Sequence, residues 1–238
     1  MQNIVETFLS IFDRSYDGAA FPAVDTLSID QAYAIQADVI GQRIARGESI
    51  AGYKVGCTSN AIQSQFGLDE PIYGHVMNPF VRNGPCNLAI DEFQQPAIEP
   101  EFVVTIGQTI STPPETDDEL VDAIDHVAAG IEMHHYKFWN GVPTIQELIA
   151  SNGLHASVII STDHTDPRDV DWENEQIHVL NHDNRIAEGC ATDIMGGPLK
   201  SLHWLISHLH VTVSYTHLRA HETDSYLVCR LLREKKRG

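Results

Sequence analysis

AIEPEFVVTI, residues 97–106, decides how the rest of the chain is read. Phe102, Val103, Val104 and Ile106 are the aromatic and aliphatic residues of a buried strand. Two acids open it. Side chains two apart on a strand share a face and lie ~6.6 Å apart along it. Glu99 and Glu101 are therefore predicted to project side by side, next to an apolar run. Two like charges on a half-buried face repel, and desolvating them is costly unless something neutralises them. A hard divalent cation does so, because carboxylate oxygens are its preferred ligands. The alternative is an edge strand with a solvated acidic face. A third acid favours the cation: Glu132, in GIEMHHYKF, stands 31 positions after Glu101, in a second strand-like run beyond a helix-like segment.

The 238 residues suffice for one sizeable core, or for a core with a small cap. At 42% hydrophobic and 20% charged the composition is that of an ordinary globular protein. No apolar run approaches the ~20 residues of a membrane span, so no membrane partner is expected. The opening MQNIVETFLSIFDRSYDG has neither a basic region nor a small-residue cleavage site, and no signal peptide is read there. Cys57, Cys86, Cys190 and Cys229 are scattered, with no CxxC pair, which fits a reducing cytoplasm better than a zinc cluster or a disulfide framework. The net charge is −18 and uneven: residues 213–238 hold six Lys/Arg against three Asp/Glu, which leaves nine against thirty elsewhere, a net of −21. So acidic a body repels phosphate backbones, and nucleic acid is not an expected partner.

Along the chain, Ile4, Val5, Phe8, Leu9, Ile11 and Phe12 predict a helix over 3–14, and Gly18 and Pro22 interrupt. Ser28 and Gln31 have capping-box spacing for a second helix with Ala32, Ile35, Val39 and Ile40 along one stripe. These two helices read as a cap or an oligomer contact. IAGYKVGCT, 50–58, reads as a strand with Lys54 inside it. Either its stem snorkels to the surface or its ammonium meets a buried anion. A short helix over 60–66 and a strand over 73–77 follow. Thr116 is placed to cap a helix that begins Asp117-Asp118-Glu119 and carries Leu120, Val121, Ile124, Val127 and Ala128 as its stripe. After the Glu132 strand come a helix over 144–151 stopped by Asn152-Gly153, a strand over 158–160, a hairpin around His182-Asp183-Asn184 and a helix from Gly196-Gly197-Pro198. Early helices, then strands broken by short helices, read as α+β.

Thirteen histidines invite zinc, but there is no HExxH, and His203, His208 and His210 are not spaced i, i+4. His134 and His135 point to opposite faces of a strand, so at most one joins Glu132. The absence of GxSxG, GxGxxG and a P-loop leaves a serine hydrolase, a dinucleotide enzyme and an NTPase without support.

GYKVGCTS (52–59), DEPIYG (69–74), IEPEFVV (98–104), GIEMHHYK (130–137), SNGLHAS (151–157) and MGGPLKSLHWL (195–205), in this order and spacing, resemble the 2-oxopent-4-enoate hydratase group of the fumarylacetoacetate hydrolase superfamily. The resemblance implies a mixed β-roll with an N-terminal helical region. It implies Mg²⁺ or Mn²⁺ held by three acids, and hydration or decarboxylation of 2-oxo or 2-hydroxy-dienoic acids from aromatic breakdown. By motif, Glu99, Glu101 and Glu132 match the metal ligands. Lys54 matches a lysine at the substrate, and Tyr73 and Asn152 fall in matching motifs and are expected there too. A homo-oligomer is expected. All-oxygen ligation selects Mg²⁺ or Mn²⁺ over Zn²⁺. A chelated cation is a Lewis acid, and a nearby ammonium adds charge stabilisation or a proton.

The chain departs from the pattern in three places. Ile72 stands where many members have an acid, and Lys137 where they have an Arg. Past the last helix, VSYTHLRAHET (213–223), written back into codons, resembles a sequencing adapter. The expected organisation is thus a helical cap over 1–49, a β-roll core over 50–212 truncated at its C-terminus, and a tail over 213–238 that stands outside the core. The expected function is a metal-dependent hydratase. A 2-oxo-acid decarboxylase, an acylpyruvate hydrolase and a non-catalytic fragment are the alternatives.

Overall fold

The computed structural model describes residues 2–13, 24–135, 143–212 and 225–230. Helix α1 (Gln2–Phe12) lies against α2 (Ile29–Ala45). The capping box that opens α2 closes in both directions: Ser28 Oγ accepts from the Gln31 amide at 3.2 Å, and Gln31 Oε1 accepts from the Ser28 amide at 2.9 Å. Val5, Phe8, Leu9 and Phe12 of α1 share a buried cluster with Val24, with Ile35 and Val39 of α2, and with Ala150 at the end of α5 (Ile145–Ala150). Gln36 of α2 donates to the carbonyls of Tyr73 (3.2 Å) and Ile149 (2.8 Å). The N-terminal helices therefore share their core with α5.

The sheet is mixed and seven-stranded. Its members are β1 (Ile50–Gly56), β2 (Ile72–Met77), β3 (Val81–Asn83), β4 (Ala97–Ile106), β5 (Ile124–His134), β6 (His155–Ile160) and β9 (Ser225–Arg230), in the order β2-β1-β9-β4-β5-β6-β3. The pairs β1–β9 and β3–β6 are parallel and the others antiparallel. A separate hairpin pairs β7 (Gln176–Asn181) with β8 (Asn184–Cys190), and a short helix, α3 (Asn60–Phe66), lies between β1 and β2 in the chain. Strand alternation gives β4 two apolar faces. Phe102, Val104 and Ile106 pack with Leu120 and with Leu202, Leu205, Ile206 and Leu209 of α6 (Pro198–Thr212). Val103, on the opposite face, packs with Ala51, Val76, Ala128, Val158 and Ile160. Fully burying a side chain such as Leu202 contributes roughly 1.5–3 kcal/mol. Among the described residues no helix is long and apolar enough to cross a membrane.

Two expectations change. The helix opened by Thr116 is α4 (Asp117–Ala123), and it stops there; Ile124, Val127 and Ala128 belong to β5. The ten residues of β4 need a partner along their full length, and β5 supplies one from Ile124 to His134. A helix through this stretch would also carry Gly130. In the strand Gly130 is required, because a Cβ there would sit 2.5 Å from Val103 Cγ2.

The second change concerns the tail. The backbone of Ser225–Arg230 enters the sheet: it pairs with β1 over Gly52–Val55 and with β4 over Glu101–Ile106. β1 and β4 each present a row of amides and carbonyls to the gap between them, and strand-forming Tyr226, Leu227 and Val228 fill it. Residues 213–224 and 231–238, with Tyr215 and Leu218, lie outside the described residues.

Candidate metal centre

The β4–β5 register sets Glu99 opposite Glu132, Glu101 opposite Gly130, and Ala97 opposite His134. Residues facing each other across a pair share a face of the sheet, as do residues two apart. Glu99, Glu101, Glu132 and His134 are therefore on one face. β4 is an interior strand, between β9 and β5, so the reading of a solvated acidic edge does not hold. Glu99, Glu101 and Glu132 are 5%, 0% and 1% exposed.

Lys54 reaches this face from β1. Lys54 is 3% exposed, and its ammonium donates to Glu132 Oε1 at 2.5 Å and to the Gly153 carbonyl at 3.1 Å; His134 Nε2 stands 3.3 Å away. Of the two readings open for Lys54, the structure has the buried anion. Gly153 makes room for it: with φ +66°, a Cβ there would come 3.0 Å from Lys54 Nζ. Behind Glu132, His155 on β6 brings Nδ1 to 2.6 Å from the same Oε1. Glu132 Oε2, on the other side, lies 3.2 Å from His134 Nε2, and His134 Nε2 lies 3.5 Å from Glu99 Oε2. Burial pushes the Glu132 carboxyl up, but Lys54, His134 and His155 together outweigh it and hold the group well below the usual carboxylate range. Burial lowers the His155 imidazole, against the pull of Glu132.

The structure brings Lys54, Glu99 and Glu132 together. Glu101 is on the same face, but the set whose ligand atoms all lie within 4.8 Å of one another is Glu99, Glu132 and His134. Glu101, the third acid expected at the centre, is fully buried on that face opposite Gly130.

Tyr73 is not brought to the site. It pairs with Val55, whereas Lys54 pairs with Gly74, so strand parity sends the Tyr73 ring to the opposite face. There it stacks on Tyr33 at 4.8 Å and meets His208 of α6 at 5.2 Å. Asn152 is near the site but faces β2. Its amide donates to the His75 carbonyl (2.8 Å) and accepts from the His75 amide (2.6 Å), standing in for a paired strand. Ile72, in place of the acid the family pattern would have, is buried among Ala32, Cys57, Ile145 and Ile149. Lys137 lies outside the described residues. Sequence reasoning gave no role to His155; only its place in SNGLHAS marked it.

The residues present fit a divalent cation. Glu132 Oε2 is buried and accepts no well-aligned hydrogen bond among the described residues. It faces a carboxylate and an imidazole, and carboxylate oxygen and neutral imidazole are the donors that hard and borderline divalent metals take.

No protein-family model matches the chain. It is similar to a 2-keto-4-pentenoate hydratase of Paraburkholderia xenovorans (strain LB400), with 25% identity over 179 residues, covering 75% of this chain and 66% of that protein. It is likewise similar to a 2-oxo-hept-4-ene-1,7-dioate hydratase of Escherichia coli, with 27% identity over 193 residues, covering 77% and 71%. The first match spans about two thirds of that relative's length. The fold is that of 4-oxalocrotonate decarboxylase from Pseudomonas putida G7, solved with magnesium and adipate: TM-score 0.83 at 20% identity, covering 97% of this chain and 88% of that one.

Proposed function

We propose that this chain is a lyase of the 2-hydroxypenta-2,4-dienoate hydratase kind, dependent on a divalent metal and acting on a small 2-oxo or 2-hydroxy acid from aromatic breakdown. One observation carries the reading. The β4–β5 register sets Glu99 across from Glu132 on a buried face, and Lys54 arrives there from a third strand. The named hydratase relatives support the reaction class, and the magnesium in the fold relative supports the metal.

Glu99 and Glu132 would hold the cation, with Glu101 beside them on the same face. When bound, the cation supplies Lewis-acid polarisation of a 2-oxo-carboxylate. Lys54 holds a positive charge in a water-poor setting, where it is positioned to stabilise negative charge developing on the substrate oxygen or to deliver a proton. His155 is a positioning residue: it fixes one oxygen of Glu132, so that the other faces Glu99 and His134. Asn152 positions as well, tying the loop that carries the Gly153 carbonyl to β2. With its amide engaged at both ends, it is not proposed as a substrate contact.

A second reading, 2-oxo-acid decarboxylation on the same site, is favoured by Ile72, which leaves that position of β2 apolar and buried. Incubation with 2-hydroxypenta-2,4-dienoate, and separately with a 2-oxo-dioic acid, in the presence of Mg²⁺ or Mn²⁺ and followed by mass analysis, tests both. Addition of one water supports the hydratase. Loss of CO₂ from a 2-oxo-dioic acid, with no hydration, supports the decarboxylase. Turnover of either substrate that persists in excess EDTA would sink the metal-dependent reading.

A further inference from the structure

We propose that the space between β1 and β4 is a strand-acceptor site, which binds Ser225–Arg230 through its backbone and takes the same segment from a second copy of the chain when its own is out. The inference does not depend on the metal reading. β1 is paired on its far edge by β2, and β4 on its far edge by β5. Among the described residues, their near edges are paired by β9 and by nothing else. With neighbouring strands ~4.8 Å apart, the two walls stand ~9.6 Å from each other, which is room for one strand.

The slot sets the direction and the register of its occupant. A strand in it runs parallel to β1 and antiparallel to β4. Positions 226–229 have a partner on each side: Gly52 and Thr105 for the first, Val55 and Phe102 for the last. This is the pairing of a strand added to a sheet edge, made on two edges at once. The walls also favour an apolar, strand-forming occupant. Tyr53, Val55, Phe102 and Val104, beside positions 227 and 229, border the cluster under α6, whereas Val103, beside position 228, belongs to the cluster on the other face. Val55, Val103 and Val104 are fully buried, so an empty slot would leave their peptide groups without partners in the interior. A ladder reads backbone and strand propensity, and neither requires that the strand be continuous with α6.

The test follows hydrogen exchange of the full chain by NMR, residue by residue. In the unaltered protein, the amides of β1 and β4 that pair with β9 should exchange together with those of β9, ~10-fold or more faster than the amides by which β4 and β5 pair with each other. One common rate for all of them means that the slot opens only with the whole sheet, and overturns the proposal. A second measurement uses a labelled peptide with the sequence of Ser225–Arg230, standing in for the strand of a second copy. Tyr226→Pro combined with Val228→Pro takes two N–H groups out of β9 and bars it from an interior position. The peptide should bind this variant saturably, ~10-fold or more tightly than it binds the unaltered chain, and should restore slow exchange to the β1 and β4 amides. No binding to the folded variant overturns the proposal, as does equal binding of a peptide that itself carries the two prolines. Should the variant fail to fold, the exchange rates of the unaltered chain decide.

Discussion

Two basic side chains are buried among the described residues, Arg43 and Lys54, and their surroundings differ in kind. Arg43 gives Nε and Nη2 to one oxygen of Glu48, at 2.9 and 2.7 Å, and lies between the rings of Phe12 (5.0 Å) and Phe80 (4.5 Å). It joins α1, α2 and the segment ahead of β3. Lys54 also meets a carboxylate, but Glu132 turns its second oxygen away, toward His134 and Glu99. One site is a closed pair with aromatic walls, and that is architecture. The other has donor atoms aimed at a point beyond the pair, and that is the mark of a ligand site.

The sharpest way to break this contrast is Glu132→Gln. It removes a proposed ligand and leaves Lys54 without its carboxylate, so calorimetric binding of Mg²⁺ or Mn²⁺ should vanish, and stability should fall by about 3–5 kcal/mol. Retained metal binding would remove Glu132 from the centre. Next comes Lys54→Met. It should leave the fold and metal binding in place and reduce turnover by ~100-fold or more, on the order of 3 kcal/mol in the barrier; unchanged kcat would make Lys54 as structural as Arg43. Arg43→Met sharpens the other side. It should cost about 2 kcal/mol in a urea titration, less than a fully buried pair because Glu48 keeps 20% exposure, with metal affinity per folded molecule unchanged.

The smallest expected effect is a pH dependence carried by His75. Burial lowers the His75 pKa to about 4, against the pull of its Asn152 contact. A folded pKa below the unfolded one means that the unfolded chain binds the proton first. The stability from neutral His75 is complete above ~6.5 and is lost as pH falls toward 4. Between pH 7 and pH 4.5, the unaltered protein should lose about 1–3 kcal/mol more than His75→Phe. Parallel curves would assign the acid sensitivity to other groups.

Local chemistry was legible in the sequence, and partnership was not. Ser28 with Gln31 announced α2, and the shared face of Glu99 and Glu101 followed from alternation alone. The Leu120–Ala128 stretch misled because apolar residues at i, i+3 and i+4 fit a helix; only the length of β4, remote in sequence, makes Ile124 onward a strand. The motif that carries Tyr73 does not tell its face, which follows only from the pairing of β1 with β2. A lone His155 carries no signal until β6 pairs with β5 and sets it behind Glu132. Ser225–Arg230 follows the adapter-like 213–223 stretch and still pairs in the sheet, because a ladder needs only backbone and strand propensity.

The surroundings of Lys54 also decide what it is not. Glu132 Oε1 and the Gly153 carbonyl accept from its ammonium, and His134 Nε2 stands 3.3 Å away, so the nitrogen is enclosed by polar partners. A lysine attacks a ketone only through a free lone pair, and this nitrogen is turned to Glu132 and Gly153 as a donor. A 2-oxo acid in this site should meet Lys54 as a hydrogen-bond donor and not as a nucleophile. No imine should form, and borohydride added during turnover should leave the mass of the chain unchanged.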